Sequence, residues 1–130
     1  MPFTRIALQR GKSSDYLHTL SETLHQALVD AFDVPAADKF QAIDQYSPGE
    51  LIYDRDYLGG PRSTEYILFY ITSGRPRSTT TKQRFYQRLT ALLAQNLQLR
   101  PEDVMVIIAC TEADAWSFSA GRIAMLPGQP

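Results

Sequence analysis

Residues 2–8, Pro-Phe-Thr-Arg-Ile-Ala-Leu, alternate as an extended chain would: Phe3, Arg5 and Ala7 share one face, and Thr4, Ile6 and Leu8 share the other. The second face ends in two large apolar side chains, which predicts a strand with at least one buried face. The spacing then changes. Leu17, Leu20, Leu24, Ala27, Leu28 and Ala31 recur at helical intervals, behind Ser13, Ser14 and Asp15, which carry N-cap chemistry. Pro35 cannot continue that helix, so it ends near Phe32. Residues 39–46, with Phe40, Ala42, Ile43 and Tyr46, predict a second strand. Ser47-Pro48-Gly49 follows as turn chemistry, and residues 54–62 read as a loop.

The same pattern then returns. Residues 66–72 predict a third strand. Thr80 and Gln83 have capping-box spacing, and Phe85, Leu89, Leu92 and Leu93 give a second helix its apolar face. Pro101 follows this helix as Pro35 followed the first. Residues 104–110 are apolar enough for a strand buried on both faces. The order strand–helix–strand, loop, strand–helix–strand predicts an α/β fold of duplicated βαβ units, with a four-stranded mixed sheet carrying two helices on one face. A ferredoxin-like split βαβ has the same element order, and periodicity does not separate the two.

Composition narrows the functional classes. At 130 residues the chain is expected to be a single domain, 1–130, and 44 % hydrophobic residues suffice for a core. The 13 basic and 14 acidic residues nearly balance, which argues against nucleic acid as a partner. The longest apolar run, residues 104–110, is too short for a membrane span, and the start of the chain lacks a signal peptide's apolar stretch. A cytoplasmic location is expected. Cys110 is the only cysteine, so no internal disulfide and no multi-cysteine metal site can form. Within an apolar run, it reads as a small buried hydrophobe. Arg supplies ten of the thirteen basic residues, the type suited to bidentate recognition of carboxylates and phosphates.

If the second βαβ unit lies antiparallel to the first, the starts of strands one and two share a sheet edge with the ends of strands three and four. That edge collects Pro2, Asp38, Arg75, Arg77 and the segment from Trp116 to Phe118. Neighbouring strands are about 4.8 Å apart, so these residues can line one pocket. Arg75 and Arg77, two apart on an extended segment, point the same way and can hold a carboxylate. Taken singly, each residue has an ordinary role: a turn aspartate, solvated arginines, core aromatics. Gly74-Arg75-Pro76-Arg77 also has the form of a minor-groove reader, but it occurs once, on a chain of negative net charge. His18, Glu22 and His25 share a helix flank at metal-ligand offsets. With no further ligand evident, a solvated polar flank accounts for them, and no metal is expected.

Pro2, the duplicated βαβ unit and the chain length resemble the tautomerase superfamily, and within it the malonate semialdehyde decarboxylases. The matching stretches are Val-Pro-Ala-Ala-Asp-Lys-Phe at 34–40, Arg-Pro-Arg-Ser at 75–78, Asp-Ala-Trp-Ser-Phe at 114–118 and Gly121-Arg122. The resemblance implies a cofactor-independent decarboxylase, tautomerase or hydratase acting on a small oxo acid such as malonate semialdehyde. It implies that removal of Met1 exposes Pro2 as the catalytic amine, with Asp38 as its partner carboxylate. Arg75 and Arg77 then hold the substrate carboxylate, and Trp116 and Phe118 form an apolar wall. Met125 stands where the family has a further Phe, and the 58–62 loop also departs from the family pattern. A homotrimer built around the sheet faces is implied, as is the alternative of a non-catalytic binding or signalling protein on the same fold.

Overall fold

This computed structural model describes residues 1–124. The alternating segment becomes β1 (Pro2–Gln9) and the helical spacing becomes α1 (Ser14–Ala31). Ser13 caps α1, its Oγ accepting from the Tyr16 N–H at 3.1 Å. β2 (Gln41–Tyr46), β3 (Ile67–Ser73), α2 (Thr79–Leu97) and β4 (Val104–Cys110) complete the duplicated order. The strands form one mixed sheet in the order β2-β1-β3-β4. β1 and β2 run parallel, as do β3 and β4, while β1 and β3 are antiparallel. The two strands of each βαβ unit are hydrogen-bonded neighbours, with no strand inserted between them. That settles the topology as two adjacent βαβ units and rejects the ferredoxin-like split form.

Both helices cover one sheet face. Ile6, Leu8, Ile67, Phe69 and Ile71 meet Leu20, Leu24 and Leu28 of α1 and Phe85, Leu89 and Leu93 of α2, all of them buried. Burying side chains of this size stabilises by roughly 1.5–3 kcal/mol each, so this layer dominates the stability. The period-two alternation sends Leu68, Tyr70, Met105 and Ile107 to the opposite face. There Tyr70, Met105 and Ile107 remain nearly 40 % exposed in the single chain. The long β2–β3 connection is tied down by Asp103, which is 1 % exposed and accepts from Ser63 N at 2.6 Å, Ser63 Oγ at 2.8 Å and Arg100 Nε at 3.2 Å. No helix among the described residues is long and apolar enough to cross a membrane.

Four expectations are corrected. Within the single chain β4 is not buried on both faces: it is an edge strand, and the helices reach only one of its faces. Cys110, the last residue of that edge, is consequently exposed rather than buried. The cap of α2 is Ser78, whose Oγ accepts from the Thr81 N–H at 3.1 Å, because the helix begins at Thr79 and Thr80 and Gln83 already lie inside it. β2 begins at Gln41, so Phe40 precedes the strand, and its side chain is exposed.

Candidate active site

The antiparallel β1–β3 pairing puts Pro2 opposite Ser73, and the ladder continues one residue further, where the Gly74 N–H donates to the Met1 carbonyl at 2.9 Å. Thr111, just beyond β4, joins the same edge by donating its N–H to the Ser73 carbonyl at 2.8 Å. On the other side of β1, the Thr4 N–H donates to the Phe40 carbonyl, which brings the segment before β2 alongside. Asp38 sits in that segment, in a turn closed by its own N–H to the Pro35 carbonyl at 3.0 Å. Its Oδ2 lies 2.8 Å from the α-ammonium of Met1. Its Oδ1 is buried with no hydrogen-bond partner among the described residues. The carboxylate therefore stands in ion-pair contact with the chain's amino terminus.

The two arginines at the end of β3 reach the C-terminal end of α1, which lies at this same edge because α1 runs antiparallel to β1. Arg77 donates twice to the Phe32 carbonyl, from Nε at 3.2 Å and Nη2 at 3.0 Å. Its Nη1 donates to Ser73 Oγ at 2.7 Å and to the Arg75 carbonyl at 3.0 Å, and the guanidinium lies 4.4 Å from the centroid of the Phe32 ring. Of the five donors a guanidinium carries, one N–H is left over. Burial pulls Arg77 below its ordinary pKa, and the neighbouring Arg75 charge acts in the same direction; an arginine nevertheless stays cationic. Arg75 is exposed and donates to Asp33 Oδ2 at 2.7 Å. That hydrogen bond and charge hold the Asp33 carboxyl below its ordinary range. The two arginines are therefore unequal: Arg77 is a strut, and Arg75 is in a solvent-exposed pair that costs little to exchange.

Trp116 and Phe118 stack with ring centroids 5.7 Å apart and planes at 22°, and Phe40 meets Phe118 at 5.4 Å. Trp116 is fixed from behind, its Nε1–H donating to Thr111 Oγ1 at 2.6 Å. The residues after the wall fold back, with the Ala124 N–H donating to the Trp116 carbonyl at 2.8 Å. Pro2, Asp38, Arg75, Arg77, Trp116 and Phe118 all fall on this edge or the segments bordering it; Met125 lies outside the described residues. Sequence reasoning missed Phe40, whose apolar character suits a strand equally well. It also missed Gly74 and Thr111, which act through a backbone amide and a hydroxyl and carry no pattern. His25 Nε2 is 2.7 Å from the Ala36 carbonyl, and Glu22 pairs with Lys39, so two members of the helix-flank trio have partners nearby. Among the described residues no cluster suited to a metal ion forms.

Two family models described as tautomerase enzyme match the chain, one over residues 38–119 and the other over residues 2–60. Two Bacillus subtilis (strain 168) proteins named probable tautomerases are similar along their whole lengths. YusQ is 36 % identical over 97 % of this chain and 99 % of its own, and YrdN is 30 % identical over 99 % of each. A solved malonate semialdehyde decarboxylase, described as having decarboxylase and hydratase activities, superposes with a TM-score of 0.88 at 36 % identity over 93 % of both chains.

Proposed function

The chain belongs to the tautomerase superfamily of enzymes, and from that premise we propose that it decarboxylates a small oxo acid of the malonate semialdehyde type through the Pro2 nitrogen, without a cofactor. The observation that carries this reading is the α-ammonium held 2.8 Å from Asp38 at the edge where the Arg75–Arg77 segment emerges. With Met1 attached, the Pro2 nitrogen is a tertiary amide and has neither a proton to give nor a lone pair to use. Removal of Met1, which the small Pro2 side chain permits, makes it a secondary amine beside Asp38.

Loss of CO₂ from a 3-oxo acid leaves an electron pair that must enter the neighbouring carbonyl. A cationic Pro2 donates a hydrogen bond to that carbonyl oxygen; a neutral Pro2 condenses with the carbonyl carbon to an iminium, expelling water. The hydrogen-bonded carbonyl, or the iminium, accepts the pair as the C–C bond breaks; a proton then adds at the carbon that lost CO₂, and on the iminium route water returns the carbonyl product and frees Pro2. Arg75 exchanges its Asp33 partner for the substrate carboxylate, and the free N–H of Arg77 supports it. Such binding accelerates the reaction insofar as it turns the breaking bond into line with the carbonyl π system. Phe40, Phe118 and Trp116 offer the substrate an apolar wall at this edge.

The names of the Bacillus relatives favour a second reading, enol–keto tautomerisation, in which a neutral Pro2 acts as base. The uncovered sheet face, with Tyr70, Met105 and Ile107, supports assembly as a homotrimer, which would bury it. The test is Met1-free protein assayed for acetaldehyde release from malonate semialdehyde, alongside enol–keto conversion of phenylpyruvate. Asp38→Asn should reduce the rate about ten- to a hundred-fold by removing a charge-assisted contact. Protein with a free Pro2 that performs neither reaction overturns the proposal in favour of a binding role.

A further inference from the structure

We propose that Gly74 is a specificity-determining position: its missing side chain leaves room for a straight apolar chain on the carbon next to a ligand's reacting carbonyl. The inference rests on Pro2 as the reacting nitrogen and extends the substrate class from malonate semialdehyde to 3-oxo acids with a longer tail. Met1 is itself an acyl group on that nitrogen. Its carbonyl carbon is bonded where a substrate adduct would be bonded, and its carbonyl oxygen already takes the Gly74 N–H at 2.9 Å. Its unbranched side chain, 22 % exposed, lies against Gly74, close to where Trp116 Nε1 also approaches that residue. A Cβ on Gly74 would stand 2.6 Å from Met1 Cε, 3.1 Å from Met1 Cβ and 3.1 Å from Trp116 Nε1. Met1 Cε is the free end of a flexible chain and can swing aside, so the contacts that decide the fit are the two at 3.1 Å, to the first side-chain carbon and to the Trp116 ring, which are shorter than the optimum of about 3.5–4.0 Å. Gly74 is not among the glycines with positive φ, so the backbone conformation does not require a glycine there. What the position offers is space beside the first carbons of an unbranched chain and beside the Trp116 ring.

The experiment uses Met1-free protein and Gly74→Ala, with two readouts. The first is the ratio of kcat/KM for 3-oxohexanoate to that for malonate semialdehyde, a ratio independent of the folded fraction. Gly74→Ala should lower it about tenfold or more, one tenfold step being about 1.4 kcal/mol. The second needs no activity: N-hydroxysuccinimide esters of acetic and hexanoic acid are used to acylate the protein, and Pro2 is read by peptide mass mapping. The Pro2 nitrogen bonds to the ester carbonyl carbon, N-hydroxysuccinimide leaves, and the nitrogen's proton passes to buffer. The natural protein should take both acyl groups at similar rates, and Gly74→Ala should keep acetyl and lose hexanoyl about tenfold. Gly74→Ala combined with Trp116→Phe, which removes the Nε1 contact, serves if the single variant does not fold. Length discrimination by acylation in a protein with no decarboxylase activity would retain this inference while removing the proposed reaction. Equal acylation of both variants by both esters overturns the inference, and so does natural protein that takes acetyl but refuses hexanoyl.

Discussion

Arg75 and Arg77 look equivalent in the sequence, and the structure predicts that their alanine variants behave differently. Arg77→Ala removes two donors from the Phe32 carbonyl at the end of α1, one from Ser73 Oγ, one from the Arg75 carbonyl, and the contact over the Phe32 ring. Hydrogen bonds from a charged group contribute about 1.5–3 kcal/mol each when measured singly. They are not additive, and water can enter to solvate the Phe32 and Arg75 carbonyls. A loss of about 2–3 kcal/mol is therefore expected, which for a chain of this size lowers Tm by roughly 8–12 °C. Arg75→Ala breaks a single exposed pair with Asp33, so stability should stay within about 0.5 kcal/mol. Its kcat/KM should nonetheless fall about ten- to a hundred-fold if Arg75 holds the substrate carboxylate. Urea denaturation and steady-state kinetics on the two variants separate these outcomes. An Arg77→Ala protein as stable as the natural one would refute the strut, and an Arg75→Ala protein with full activity would refute the exchange of Asp33 for substrate.

Two further outcomes follow from other parts of the molecule. Burial pushes the Asp103 carboxyl up, but the hydrogen bonds from Ser63 and Arg100 outweigh it, leaving the group below its ordinary value of 3.8. Its contribution is thus complete above about pH 4 and lost as the pH falls through the lowered folded value. Asp103→Asn should cost roughly 2 kcal/mol at neutral pH. Its stability should converge with that of the natural protein in strong acid, as thermal melts between pH 2 and 7 would reveal; a constant gap across that range would contradict the linkage. For the open sheet face, light scattering at micromolar concentration should give a trimer, and Ile107→Asp a monomer, since an interface core does not tolerate an unpaired charge. A natural protein that is already monomeric removes the trimer.

Periodicity was enough for the elements because each burial face repeats at its own interval. Alternation marked β1, helical spacing marked α1 and α2, and the two prolines Pro35 and Pro101 marked where each helix had stopped. The edge that gathers Pro2, Asp38, Arg75 and Arg77 was legible only on the supposition that the second unit lies antiparallel to the first: the connection constrains strand direction within each βαβ unit, and the β1–β3 pairing supplies the rest. What the sequence could not carry was anything decided by a partner distant along the chain. Hydrophobicity says that Val104–Cys110 is apolar but not that it lies at an edge, so the exposure of Met105, Ile107 and Cys110 depends on strand order. Two like charges two residues apart look alike until the end of α1 meets both, giving Arg75 an exposed carboxylate and Arg77 the Phe32 carbonyl and ring that make it a strut. Gly74 has no side chain to form a pattern, and its importance is a matter of the space between Met1 and Trp116. Local spacing fixes which face a residue occupies, whereas only the packed chain fixes what that face meets.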